Sequence, residues 1–97
     1  MKIAFTDFWW KFDPYNNFFV DACKSINENV MVVDPSKADV LFFSCFGNDH
    51  KKYSCRKVYY TGESTNPPWQ DCDYGLTFNL DEPSENHFRL PLWMLYI

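Results

Sequence analysis

Ala38-Asp39-Val40-Leu41-Phe42-Phe43-Ser44-Cys45-Phe46 is a nearly continuous apolar run of strand length. A strand with one wet face alternates apolar with polar residues, so a run without that alternation predicts a strand buried on both faces, as in parallel α/β sheets. Upstream, Lys2 to Phe8 reads the same way. The turn and cap residues Asp13-Pro14-Tyr15-Asn16 follow, and then Phe18, Phe19, Ala22, Cys23 and Ile26 recur at helical spacing. Val30 to Val33 is a further strand, broken by Asp34-Pro35-Ser36-Lys37. That break is too short for a full crossover helix, so either one helical turn crosses there or the two strands it joins are not simply parallel. Downstream, Gly47 to Arg56 has room for a short helix, Lys57 to Thr61 is a strand, and Asp73 to Asn79 alternates like a strand near an edge. Leu90 to Ile97 is apolar again and stops without a cap, where a longer protein would continue. The fold class these segments predict is α/β: a small, open, mostly parallel sheet with flanking helices.

A chain of 97 residues supports one hydrophobic core, which predicts a single domain over 1–97. Aromatic residues make up 21% of it, more than so small a core needs, so some are expected at a cleft or an interface. The net charge of −4 argues against a phosphate-backbone ligand, because the basic residues are scattered apart from Lys51, Lys52, Arg56 and Lys57. No apolar stretch has the length of a membrane span, and Asp7 and Lys11 interrupt the first apolar segment too soon for a signal peptide. A soluble, intracellular chain, or a domain cut from a larger one, is the expectation. Cys23, Cys45, Cys55 and Cys72 lack Cys-x-x-Cys spacing, so no metal site is expected. Cys23 and Cys45 read as buried apolar residues, and Cys55 with Cys72 is the one disulfide worth considering.

Open parallel sheets bind ligands beyond the carboxyl ends of their strands. Those ends are Asp7-Phe8-Trp9-Trp10, Ser44-Cys45-Phe46-Gly47 and Thr61-Gly62-Glu63-Ser64. Glu63 is placed where a general base could sit, although a single loop glutamate is also an ordinary solvated residue. Trp9 and Trp10 suit stacking on a pyranose; alternatively one is core and the other packs under the Asn66 to Trp69 loop. Phe12, Phe18 and Phe19 read as helix–sheet packing. His50 could hold an acceptor hydroxyl or a phosphate, or be a surface residue. Arg89 could pair with Asp73 or Asp81, or pin a domain junction. No nucleophilic triad and no phosphate-gripping glycine loop is present.

Taken in order, Lys2-Ile3-Ala4 leading to Trp9-Trp10, Ala38 to Phe43, Val58 to Ser64, Cys72 to Phe78, and Arg89-Leu90-Pro91-Leu92 resemble the N-terminal domain of the α1,3/4-fucosyltransferases, glycosyltransferase family 10. The most specific segment is Tyr60-Thr61-Gly62-Glu63-Ser64 with Asn66-Pro67, where Ser64 stands in place of the asparagine of bacterial members. The resemblance implies a Rossmann-like domain forming the acceptor-side half of a GT-B enzyme that inverts the anomeric centre. It makes Glu63 the base that takes a proton from a GlcNAc hydroxyl. Trp9, Trp10, Phe46, His50, Ser64 and Asn66 become candidate acceptor contacts. It implies no cofactor; GDP-fucose would be the donor of the full enzyme. The donor-binding signature of that family, ending near Thr-Glu-Lys, is not in these 97 residues. The chain is therefore expected to be inactive alone: an excised half, a gene-split half awaiting a donor-binding chain, or a stand-alone glycan-binding or protein-interaction module.

Overall fold

A computed structural model describes residues 1–26, 29–61 and 67–77 in full, and the backbone of 87–89. β1 (Lys2–Thr6), β2 (Met31–Val32), β3 (Val40–Phe43), β4 (Arg56–Tyr60), β5 (Tyr74–Thr77) and β6 (His87–Arg89) form one sheet in the order β2-β1-β3-β4-β5-β6. Every pairing is parallel. α1 (Phe18–Ile26) joins β1 to β2, and 3-10 turns lie at Pro35–Lys37 and Asp49–Lys52. The expected α/β parallel sheet is thus the fold observed. β5 lies inside the sheet rather than at its edge, since His87–Arg89 adds a strand outside it.

The short break between β2 and β3 resolves as a single helical turn. Ile3 of β1 pairs with Val32 of β2 on one side and with Val40 of β3 on the other. β2 therefore ends level with the start of β3, and the connection moves only sideways, over two strand spacings of about 4.8 Å each. No return along the strand is needed, so one turn does what a crossover helix usually does. Asp34 caps that turn by accepting from the backbone N–H of Ser36 at 3.0 Å.

Apolar strands bury both faces of the sheet, as their sequence predicts. On one face Ile3, Phe5, Phe42 and Tyr60 pack with Phe19 and Val20 of α1 and with Val30. Phe5 lies flat against Phe42 at 5.1 Å between ring centroids, and Phe12 and Phe18 close the margin. The helical stripe is shifted from its expected position: Val20 is buried, whereas Ile26 is 88% exposed. The cap is Asn17, one residue past the expected turn, and its Oδ1 accepts from the N–H of Val20 at 3.1 Å. On the opposite face Phe43 packs between Tyr59 and His50, and Pro67 covers Gly75.

Gly75 has no room for a side chain: an added Cβ would stand 2.9 Å from Cβ of Pro67 and 3.4 Å from the Trp69 ring. Pro67 cannot swing away as a flexible side chain would. Gly75→Ala is expected to cost about 1–3 kcal/mol by overpacking, seen as a lowered urea midpoint with unchanged slope. An unchanged midpoint would mean that the Pro67 loop yields freely.

Candidate functional site

The carboxyl ends of β1, β3 and β4 lie side by side, and the chain leaves them through the segments that carry the candidate residues. After β1, Asp7 adopts φ +62°, a left-handed conformation that aspartate tolerates better than most residues. That reversal turns its carboxylate back over the end of β3. Oδ1 accepts from the N–H of Asp49 at 3.1 Å, and Oδ2 accepts from the N–H of His50 at 2.9 Å. The Asp7 carbonyl accepts from the N–H of Phe46 at 3.1 Å. Gly47 fits beneath this carboxylate because a Cβ there would lie 2.6 Å from Oδ1.

His50 sits at the centre of the cluster. Its Nδ1 is 2.7 Å from Oδ2 of Asp7, and its Nε2 is 3.3 Å from Oδ2 of Asp71. The ring lies flat on Phe43 at 4.0 Å. The side chains of Asp7 and His50 are 3% and 5% exposed, and Lys51 stands 3.9 Å from Asp71 at the rim. His50 is therefore not the surface loop residue considered as one reading of the sequence. Both ring nitrogens already face carboxylates, so the ring ties the loop after β1 to the Pro68–Asp71 turn. The sequence could not show this, because Asp7 and Asp71 lie 43 and 21 residues away from it.

An aromatic group gathers on the other face of the sheet, the one that carries Tyr60. Trp9 meets Phe46 at 6.4 Å and Tyr60 at 6.5 Å, with Phe8 and Phe12 behind it. Trp9 is 41% exposed, Phe46 60% and Trp10 84%, so neither tryptophan is core. Trp9 packs with these rings, and Trp10 holds the ammonium of Lys11 over its own ring at 4.6 Å. At the next strand end, Ser44 donates its hydroxyl to the carbonyl of Tyr60 at 2.6 Å, and the N–H of Thr61 bonds to the carbonyl of Leu76 at 3.2 Å. Glu63, Ser64 and Asn66 lie outside the described residues, as do Asp81 and the Leu90–Ile97 run; so does the side chain of Arg89. The carboxylate of Asp73 is engaged by the N–H of Lys57 at 2.8 Å.

Cys45 is exposed, not buried as its apolar run suggested, because β3 ends at Phe43 and the chain turns at Cys45–Phe46. Cys55 and Cys72 are both free thiols. They line a polar hollow of about 450 Å³ at the amino ends of β4 and β5, across the sheet from the aromatic group. Burial, reinforced by Asp73 and Asp71, pushes the Cys72 thiol up to about 11. The thiolate is the form that reacts, so at pH 8 Cys72 should alkylate about tenfold or more slowly than Cys45, its rate rising as pH approaches 11. Peptide mass spectrometry after iodoacetamide treatment measures both rates; equal rates at pH 8 would contradict the assignment. Among the described residues no group of three His, Cys, Asp or Glu is placed to hold a metal ion, and no helix is long and apolar enough to cross a membrane.

The parallel sheet with its connecting helix defines an α/β domain, and its aromatic group lies at the carboxyl edge, where open sheets of this class bind ligands. Two solved structures share that fold. One, described as the crystal structure of an α1,3-fucosyltransferase, superposes with a TM-score of 0.66 at 22% identity, covering 97% of this chain and 29% of the other. The second, an α1,3-fucosyltransferase with GDP, gives 0.59 at 20% identity over 97% and 27%. This chain thus spans less than a third of either. No curated protein matches the sequence. The family model for the alpha-(1,3)-fucosyltransferase FucT N-terminal domain matches residues 3–96, and the chain belongs to that family.

Proposed function

We propose that this chain is the acceptor-side half of an inverting α1,3-fucosyltransferase of the GT-B kind, transferring fucose from GDP-fucose to a GlcNAc-containing glycan once a donor-binding domain faces it. The observation that carries this reading is the exposed Trp9–Phe46 pair at the carboxyl edge of a sheet whose family is that of fucosyltransferase N-terminal domains. An indole presents a large apolar face for the C–H side of a pyranose and an N–H for a hydroxyl. Glu63 follows Thr61 by two residues, at most about 7 Å of chain, which leaves a carboxylate within reach of a sugar resting on that edge. In this role it removes the proton from the attacking hydroxyl, while fucose passes from the GDP oxygen to the acceptor oxygen and GDP departs. In this reading Ser64 and Asn66, which follow Glu63 in sequence, and Trp10, on the loop after β1, are the further candidates for orienting the acceptor. His50 fixes the two loops rather than the sugar. The GDP-bound relative is consistent with a donor site in the part of the enzyme this chain does not cover.

The test is reconstitution. The chain joined after Ile97 to the donor-binding domain of a related fucosyltransferase, or mixed with it, should transfer fucose to N-acetyllactosamine. Complete inactivity of both arrangements, with each part folded, would remove the enzyme-half reading. A second reading, a glycan-binding module, draws on the same exposed rings. It predicts that Trp9→Ala or Trp10→Ala weakens sugar binding by the chain alone while Glu63→Gln barely changes it.

A further inference from the structure

Cys55 and Cys72 stand half-buried in the wall of the polar hollow at the amino ends of β4 and β5. We propose that these two thiols are a reversible redox pair, closed to an intramolecular disulfide by a small-molecule disulfide such as oxidised glutathione and reopened by thiols. The pair lies at the opposite ends of the strands from the aromatic edge, and it stands independently of the acceptor-side reading.

The strand register brings the two residues within bonding range. Val58 of β4 pairs with Tyr74 of β5. One residue earlier the same register holds: the N–H of Asp73 bonds to the carbonyl of Lys57 at 2.9 Å, and the N–H of Lys57 to Oδ2 of Asp73 at 2.8 Å. Cys72 is thus level with Arg56, and Cys55 is one residue out of step with it on the neighbouring segment. A strand spacing of about 4.8 Å and a rise of about 3.3 Å per residue put their Cα atoms about 6 Å apart, inside the ~4.4–6.8 Å that a disulfide spans. Within a regular ladder, neighbours so placed point to opposite faces. β4 begins only at Arg56 and β5 at Tyr74, so both cysteines precede the pleated part, and both line the same hollow.

The surroundings suit a reacting pair. A free cysteine that serves packing alone sits in an apolar interior, whereas these two share their hollow with Ser54, Arg56, Lys57, Asp71 and Asp73. Arg56 and Lys57, next to Cys55, favour the approach of an oxidant that carries carboxylates, as oxidised glutathione does. Burial, with Asp73 and Asp71 beside it, pushes the Cys72 thiol up to about 11, which makes Cys55 the first to react and Cys72 the resolving thiol. The Cys55 thiolate attacks one sulfur of oxidised glutathione, whose S–S bond breaks, and one glutathione leaves as a thiolate that takes up a proton. Cys72 then gives its proton to water and attacks the Cys55 sulfur, and the second glutathione leaves in the same way. The pair loses two electrons and two protons, and the oxidant becomes two glutathione thiols. The new bond encloses β4, Glu63 and the Pro68–Asp71 turn in one covalent ring, which stabilises the folded chain by restricting the unfolded one.

The experiment treats the whole folded chain with oxidised glutathione at pH 8, blocks remaining thiols with N-ethylmaleimide and maps tryptic peptides without reduction. Arg56 and Lys57 lie between the two cysteines, so trypsin leaves them on different peptides. The folded chain should yield the Cys55 peptide joined to the Cys72 peptide, whereas the urea-unfolded chain should also pair them with Cys23 and Cys45. Cys72→Ser should stop at a glutathione adduct on Cys55. The oxidised chain should unfold at a higher urea midpoint than the reduced one, and dithiothreitol should restore the lower value. Glutathione adducts that the unsubstituted folded chain never resolves, pairings as mixed when folded as when unfolded, or a urea midpoint lowered by oxidation would each overturn the redox pair.

Discussion

Glu63→Gln, in the chain fused to a donor-binding fucosyltransferase domain, is expected to lower kcat by about 10²- to 10⁴-fold while KM for the acceptor changes little. The acceptor hydroxyl is a weak nucleophile until its proton leaves, and a positioned carboxylate supplies that step in the transition state alone. Glutamine keeps the shape and the hydrogen-bonding reach but cannot take the proton, so binding survives and turnover does not. Steady-state kinetics against N-acetyllactosamine read both constants. A loss smaller than about tenfold, or one that falls mainly on KM, would make Glu63 a binding residue and move the base elsewhere.

Asp7→Ala should destabilise the chain by about 3–5 kcal/mol, a large share of the ~5–15 kcal/mol that holds a domain of this size together. Its carboxylate is almost fully buried and serves the N–H groups of Asp49 and His50 and the His50 ring at once. Alanine would leave these donors without an acceptor in a place water does not reach. Asp7→Asn keeps one oxygen for the backbone and should fall between the two. Urea unfolding followed by tryptophan fluorescence gives the comparison. A loss under about 1 kcal/mol for Asp7→Ala would show that the cluster is no more than a surface ion pair. Because Asp7 also sets the path of the chain into Trp9, glycan binding by the folded fraction should weaken along with stability.

The sheet was legible because its strands are apolar on both faces: Ile3, Phe5, Leu41 and Phe43 sit where a continuous hydrophobic run places them. β6 was missed because three residues at His87–Arg89 carry no apolar period, and their place in the sheet comes from pairing with Gly75, Leu76 and Thr77. The exposure of Trp9 and Phe46 followed from an excess of aromatics over what the core could take in. Cys45 was misplaced because an apolar run does not mark where its strand stops; the turn at Cys45–Phe46 does, and those two residues read as part of the run. The Asp7–His50–Asp71 cluster could not be read at all. Its members are ordinary residues at unrelated spacings, joined by the left-handed backbone at Asp7 and by the fold of β3 and β4 beneath them.

Titration of the 97-residue chain, observed by protein NMR, with N-acetyllactosamine and separately with GDP-fucose asks whether the domain takes the acceptor or the donor. An acceptor-side domain should show shifts at Trp9, Trp10, Phe46 and the Glu63 segment with the acceptor and none with the nucleotide sugar. Saturable shifts with GDP-fucose at that edge, and none with the acceptor, would overturn the acceptor-side assignment.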